Sequence, residues 1–105
     1  MGNDGNDRLW GGAGDDVLDG GLGDDRLEGG SGRDVFVIAA RQGKDRIVDF
    51  TPGEDLVKFV STGLGFDALK MHQDGSTTRV EFGEDTLLLE GLLPQQLGAD
   101  DFLFI

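Results

Sequence analysis

Four aspartates, Asp7, Asp16, Asp25 and Asp34, recur every nine residues, and theirs is the spacing in this chain that could do chemistry. Each lies in a glycine-rich phrase. Gly2 to Trp10, Gly11 to Asp19, Gly20 to Glu28 and Gly29 to Val37 repeat the pattern G-G-x-G-x-D-x-U-x, with U apolar. Carboxylates, together with the peptide carbonyls that glycine turns leave free, offer only oxygen, which is what a hard divalent cation takes. Calcium binds six to eight oxygens at about 2.3–2.6 Å, so two ligands on opposite sides of it sit about one interstrand spacing, roughly 4.8 Å, apart. Magnesium prefers about 2.0–2.1 Å and keeps its waters, so it fits that spacing less well. Zinc lacks its usual donors, because there is no cysteine and His72 is the one histidine.

The elements that must hold these aspartates follow from the rest of the phrase. Arg8-Leu9-Trp10, Val17-Leu18-Asp19, Arg26-Leu27-Glu28 and Val35-Phe36-Val37 read as three-residue strands with the middle side chain inward and the outer two outward. One inward apolar residue cannot offset the conformational entropy lost by nine ordered residues. If two phrases make one coil, Asp7 faces Asp25 and Asp16 faces Asp34. Two carboxylates about 4.8 Å apart repel by about 3.5 kcal/mol at an effective dielectric of about 20. The stack therefore calls for a cation between its facing aspartates.

Beyond Val37 the phrase degrades. Gly43-Lys44-Asp45-Arg46-Ile47-Val48 and Gly53-Glu54-Asp55-Leu56-Val57-Lys58 keep its second half, with Asp45 and Asp55 displaced by small insertions. The first four turns are expected to bind metal well and the last two only partly. From about Val60 ordinary β signals replace the period: a hairpin from Leu69 to Phe82 about Asp74-Gly75, a strand at Thr86–Leu89, a helical turn at Pro94–Gly98, and a final strand from Phe102 to Ile105. The expected division is a metal-binding roll over 1–59 and a capping flank over 60–105, because an open last coil would expose its core and strand edge. Outward Val17, Val35 and Val37 predict that the even-numbered sheet lies under this flank. Outward Arg8, Arg26 and Arg46 predict a ladder on a sheet facing water. Asp15, Asp19 and Asp24, also outward, are expected to be solvated, and His72 to be structural.

Composition sets the outer limits. The chain has 105 residues, a net charge of −12 and a pI near 4.1, which argues against nucleic acid or an anionic membrane as a general partner. No stretch approaches the roughly 20 apolar residues of a membrane span. No charged segment followed by an apolar run opens the chain, so no ordinary signal peptide is expected. Met1 abuts a repeat already in register and reads as the start of a fragment. Gly63-Leu64-Gly65-Phe66-Asp67-Ala68 matches a dinucleotide-binding pattern in letters alone, since no βαβ unit surrounds it. No nucleophile with an adjacent base and no hydrolase motif is present, so a non-catalytic, monomeric module is expected, with any catalytic activity residing in a missing N-terminal domain.

The four phrases and their continuation GKDRIVDFTPGEDLVKF resemble the calcium-binding nonapeptide repeats of the RTX family, in particular the C-terminal β-roll and flank of serralysin-type metalloproteases and the R-modules of alginate epimerases. The resemblance implies an all-β fold, a right-handed parallel β-roll with a β-rich cap, and at least two Ca²⁺ ions held between turns eighteen residues apart. It implies one site from Asn3, Gly5 and Asp7 with Gly20, Leu22 and Asp25. A second uses Gly12, Gly14 and Asp16 with Gly29, Ser31 and Asp34. A third, from Gly21, Gly23 and Asp25 with Asp45, falls where the insertion breaks the register. The ending Asp101-Phe102-Leu103-Phe104-Ile105 resembles an uncleaved type I secretion signal, which implies export through a type I apparatus from a Gram-negative cytosol to the calcium-rich exterior. The likeness to R-modules implies a second role for the arginine ladder and Trp10, the binding of an acidic polysaccharide such as alginate.

Overall fold

In each phrase the three residues after the aspartate pair with their counterparts one full coil away, and this pairing builds the molecule. The computed structural model describes residues 8–20, 23–39, 43–60, 69–82, 85–92 and 94–104. Its strands are β1 (Arg8–Trp10), β2 (Val17–Asp19), β3 (Arg26–Glu28), β4 (Val35–Ala39), β5 (Lys44–Ile47), β6 (Leu56–Val60), β7 (Lys70–Asp74), β8 (Thr77–Phe82), β9 (Asp85–Glu90) and β10 (Phe102–Phe104). Odd and even phrases alternate between two sheets, ordered β1-β3-β5-β9-β8-β7 and β10-β6-β4-β2. The chain is an all-β parallel roll, as the nine-residue period predicts.

The register is that of a two-phrase coil. Leu9 lies opposite Leu27 and Leu27 opposite Ile47 in one sheet; Leu18 lies opposite Phe36 and Phe36 opposite Val57 in the other. These inward positions stack into the core, where Leu27, Phe36, Ile47 and Val57 are fully buried. Alternation places the preceding aspartate on the same inward side, two residues earlier. In β5 the sequence Lys44-Asp45-Arg46-Ile47 is accordingly exposed, buried, exposed, buried.

The flank closes the roll by lengthening both sheets. β9 runs parallel to β5, with Leu87 opposite Asp45, and β8 and β7 then turn back antiparallel. Asp74 pairs with Thr77, so the hairpin turns through Gly75 and Ser76, one residue later than its Asp-Gly pair suggests; Gly75 takes φ 64°. β10 runs parallel to β6. The ring of Phe59 meets Phe82 edge-on at 4.8 Å and stacks with Phe104 at 5.1 Å and Phe102 at 5.9 Å, sealing that end with aromatic surface. The turn expected from Pro94 is a 3-10 helix over Pro94–Gln96.

One expectation is corrected. Val17 is 69% exposed, so the outer face of β2 is open and does not lie under the flank. Flank strands gain backbone hydrogen bonds by joining a sheet edge, which packing across a sheet face would not supply. The Gly63–Ala68 stretch and Ile105 lie outside the described residues.

This packing separates an outward-looking hydrophobic substitution from a buried one. Phe59→Ala should destabilise the calcium-saturated protein by about 3–5 kcal/mol in denaturant titration, whereas Val17→Thr should change it by no more than about 0.5 kcal/mol.

Candidate metal centre

The described residues include one complete pair of facing turns from the full repeats, Gly11–Asp16 and Gly29–Asp34. Glycine is required in them for two separate reasons. Gly12 and Gly14, and their counterparts Gly30 and Gly32, adopt φ between 84° and 96°, the left-handed region that other residues rarely enter. Gly11 has ordinary dihedrals, but a Cβ there would stand 2.7 Å from Asp16 Oδ2 and 2.7 Å from the carbonyl oxygen of Gly29. Two oxygens from two turns thus converge over one bare Cα. A Cβ on Gly30 would collide with the carbonyl of Gly12, and one on Gly32 would lie 2.5 Å from that of Gly14. The carbonyls of Gly12 and Gly14 therefore face the later turn, and that of Gly29 faces the earlier one.

The aspartates meet in the same gap. The backbone N–H of Asp16 donates to Asp34 Oδ1 at 3.0 Å, that of Asp25 to Asp45 Oδ1 at 3.1 Å and that of Asp34 to Asp55 Oδ1 at 2.9 Å. One oxygen of each receiving carboxylate is thereby satisfied. Among the described residues, Oδ2 of Asp16 and Oδ2 of Asp34 are buried with no hydrogen-bond partner. A buried, unpaired carboxylate oxygen is costly, and two facing one another with glycine carbonyls between the turns fit an oxygen-seeking divalent cation. No group of three or more carboxylates or imidazoles converges among the described residues, so carbonyls must complete any such site.

Burial acts on the same carboxyls. It raises Asp45 from 3.8 to about 7, opposed by the N–H of Asp25 and reinforced by the facing Asp25 carboxylate. It also raises Asp34 and Asp55, each against hydrogen bonds from backbone N–H groups. Asp55 differs from Asp34 in its surroundings: its Oδ2 accepts the N–H of Thr51 at 2.8 Å, so both its oxygens are satisfied by peptide groups.

Of the residues expected to hold metal, the structure brings together Gly12, Gly14, Asp16, Gly29 and Asp34, and Ser31 is exposed in the same turn as Gly29. Gly20, Gly23, Asp25 and Asp45 lie on the odd stack, while Asn3, Gly5, Asp7, Gly21 and Leu22 lie outside the described residues. Asp15 and Asp24 are exposed as expected, yet each accepts a backbone N–H from the next turn, Arg33 and Lys44 respectively, both at 2.8 Å. Asp49 carries no signal in the nine-residue pattern. Its carboxylate nevertheless takes the N–H groups of Gly29 and Gly30 at 2.9 and 2.8 Å.

A second feature crosses the outer face of the six-stranded sheet. Arg8, Arg26 and Arg46 stand opposite one another on adjacent strands, and the same row continues through Leu88 and Arg79 to His72. Arg46 pairs with Glu90 at 3.0 Å and Arg79 with Asp74 at 3.5 Å; among the described residues Arg8 and Arg26 form no ion pair. These two line a surface groove of about 430 Å³ that also holds Lys44, Arg46, Asp24, Asp25 and Leu88. Trp10, 74% exposed, projects from the same strand as Arg8.

The raised carboxyls fix a pH dependence. Without calcium, folded Asp45 holds its proton up to about pH 7 while the unfolded chain releases it near 3.8. The metal-free fold is then most stable below that window and loses stability as pH rises through it. Melts in chelator should show a falling midpoint from pH 4.5 to 7.5, and the rise on adding calcium should grow over the same range. A metal-free midpoint that climbs with pH would contradict the burial described.

Comparison with known proteins agrees with this geometry. The family model of the RTX calcium-binding nonapeptide repeat matches residues 1–36, in four copies. No curated protein matches the sequence. The fold is similar to extracellular lipase LipA from Serratia marcescens, with a TM-score of 0.72 and 24% identity over 100% of this chain and 20% of the lipase chain. It is also similar to the AlgE6R2 subunit of the Azotobacter vinelandii mannuronan C5-epimerase, with a TM-score of 0.51 and 25% identity over 98% of this chain and 90% of that one. The AlgE6R3 subunit of the same enzyme gives 0.47 and 24% over 98% and 80%. The chain spans about a fifth of the lipase. Residues 1–36 match the RTX calcium-binding nonapeptide repeat, and within them the glycines and aspartates of Gly11–Asp16 and Gly29–Asp34 build the gap between turns of a parallel β-roll.

Proposed function

We propose that this chain is a non-catalytic roll that folds on binding Ca²⁺ and so supports the export, extracellular folding and stability of a protein attached to it. The observation that carries this reading is the pair of buried oxygens, Asp16 Oδ2 and Asp34 Oδ2, that no group of the protein satisfies among the described residues. In this reading Gly12, Gly14 and Asp16 hold one ion with Gly29, Ser31 and Asp34. By equivalence of the repeats, Asn3, Gly5 and Asp7 hold another with Gly20, Leu22 and Asp25, and Gly21, Gly23 and Asp25 hold a third with Asp45. The bound ion supplies positive charge between facing carboxylates. Residues 1–59 form the metal-dependent roll and 60–105 its cap.

Export by a type I route into the medium of a Gram-negative cell follows from the same dependence. A roll whose carboxylates repel stays open where calcium is scarce and closes where it is plentiful, and a metal in excess of its dissociation constant stabilises only the folded form. The acidic residue followed by Phe102-Leu103-Phe104-Ile105 supports this route, and Phe102 serves the fold as well, since it is buried. The protein is proposed to act as a monomer.

A second reading is favoured by the cationic row. In a chain of net charge −12, four arginines in register across one sheet face form a local exception. Neighbouring side chains recur at the strand spacing of about 4.8 Å, close to the length of one sugar ring, so a linear polyuronate crossing β1, β3 and β5 would meet one guanidinium per residue, from Arg8, Arg26 and Arg46 in turn. Arginine suits carboxylates because its planar fork binds them in a bidentate manner, and Trp10 adds a stacking surface.

Both readings lead to direct measurements. Far-UV circular dichroism and thermal melting should show cooperative folding with calcium, a much weaker response to magnesium and, above about pH 7 where the metal-free fold is weakest, loss of the roll in chelator. Asp16→Ala should raise the calcium midpoint about tenfold or more, and Asp15→Ala much less. An unchanged cooperative melt in chelator would exclude the calcium reading. For the second, alginate should bind the wild type at low salt and bind an Arg8→Ala, Arg26→Ala double variant more weakly; no affinity of the wild type would end it.

A further inference from the structure

Asp49 lies on the side of the Gly29–Asp34 turn away from Asp16, where the nine-residue pattern has no aspartate. Its two oxygens accept the N–H groups of Gly29 and Gly30. All peptide bonds described here are trans, and in a trans peptide the C=O points opposite to the N–H. Anchoring the Gly29 N–H therefore turns the Glu28 carbonyl the other way, and that carbonyl does accept the N–H of Gly11 at 2.8 Å. Anchoring the Gly30 N–H likewise turns the Gly29 carbonyl toward the earlier turn. There its oxygen lies 2.7 Å from the point over Gly11 that is also 2.7 Å from Asp16 Oδ2.

We propose that Asp49 is a positioning residue for the ion between Asp16 and Asp34: by holding two consecutive N–H groups from behind, it presents the Gly29 carbonyl to the metal. It touches no metal itself. Glycine at 29 and 30 leaves those two peptides free to rotate, and of their carbonyls that of Glu28 is held from the other side, by the Gly11 N–H. The carboxylate of Asp49 removes that freedom before the ion arrives, as groups behind a ligand commonly do in metal sites. Asp55 supplies the rest of the support, its Oδ1 receiving the N–H of Asp34.

This rests on the calcium reading, and the test separates the two. Terbium would stand in for calcium in the wild type, Asp49→Ala, Asp49→Asn and, as a control for the site itself, Asp16→Asn. Luminescence lifetimes in light and heavy water count the waters on bound terbium, and calcium titration gives affinity. Asp49→Ala should weaken calcium binding about tenfold or more and add about one water to the total, because a carbonyl that has swung away is replaced by solvent. Asp49→Asn, which keeps one acceptor oxygen, should fall between. If Asp49→Ala does not fold in calcium, Asp49→Asn decides by the same two readouts. An unchanged water count in the folded variants, with or without an affinity loss, would overturn the proposal, since lost charge or lost packing adds no water. A wild type that binds neither ion would instead end the calcium reading itself.

Discussion

Everything in this fold answers to the meeting of like charges at each step of the stack. A parallel roll with identical phrases must bring the same residue of successive coils together, and here that residue is an aspartate on the inward side of its strand. Backbone geometry relieves half of the conflict, because each position-6 N–H is directed at one oxygen of the next carboxylate. At Asp16 and Asp34 the Oδ2 oxygen is left for something that is not peptide. The glycines are consequences of the same arrangement: those at positions 2 and 4 supply left-handed turns that send carbonyls across the gap, and that at position 1 leaves the space into which the carboxylate leans.

The roll is graded along its length. Between the second and fourth turns Oδ2 of Asp16 and Oδ2 of Asp34 have no donor among the described residues, while two turns later Asp55 and Asp49 are satisfied by peptide N–H groups. On the odd stack the rung after Asp45 is filled by Leu87, which is buried, so the acidic ladder ends in the core. Aromatic packing about Phe59 takes over at that point. Cation-dependent and cation-independent cohesion thus occupy opposite ends of one continuous pair of sheets, and the cap is joined to the repeats by parallel strand pairing.

Much of this was legible in the amino-acid order because the repeat makes long-range contacts local in character. A strict period of nine, with one apolar residue two places after each aspartate, defines strand, inward face, partner and register together. The placement of Leu18 opposite Phe36, and of Asp16 against Asp34, needed nothing further. Legibility stopped where the period did. Asp49 acts on residues twenty positions earlier through stacking that insertions have shifted, so no spacing reveals it. Arg79 and His72 join the arginine row because β9 adds in parallel and the hairpin then folds back, which depends on pairings formed across more than forty residues. Val17 was expected under cover, but hydrophobicity alone does not say whether a later segment will pack on a face or extend an edge.

The central claim is that an ion of calcium's radius and charge belongs between the Asp16 and Asp34 carboxylates. Anomalous diffraction from crystals grown with calcium tests this most directly. The account predicts a strong anomalous peak in that gap, with both Oδ2 atoms and the carbonyls of Gly12, Gly14 and Gly29 at about 2.3–2.6 Å from it. A gap that holds only water at saturating calcium, with the two turns still stacked, would contradict it.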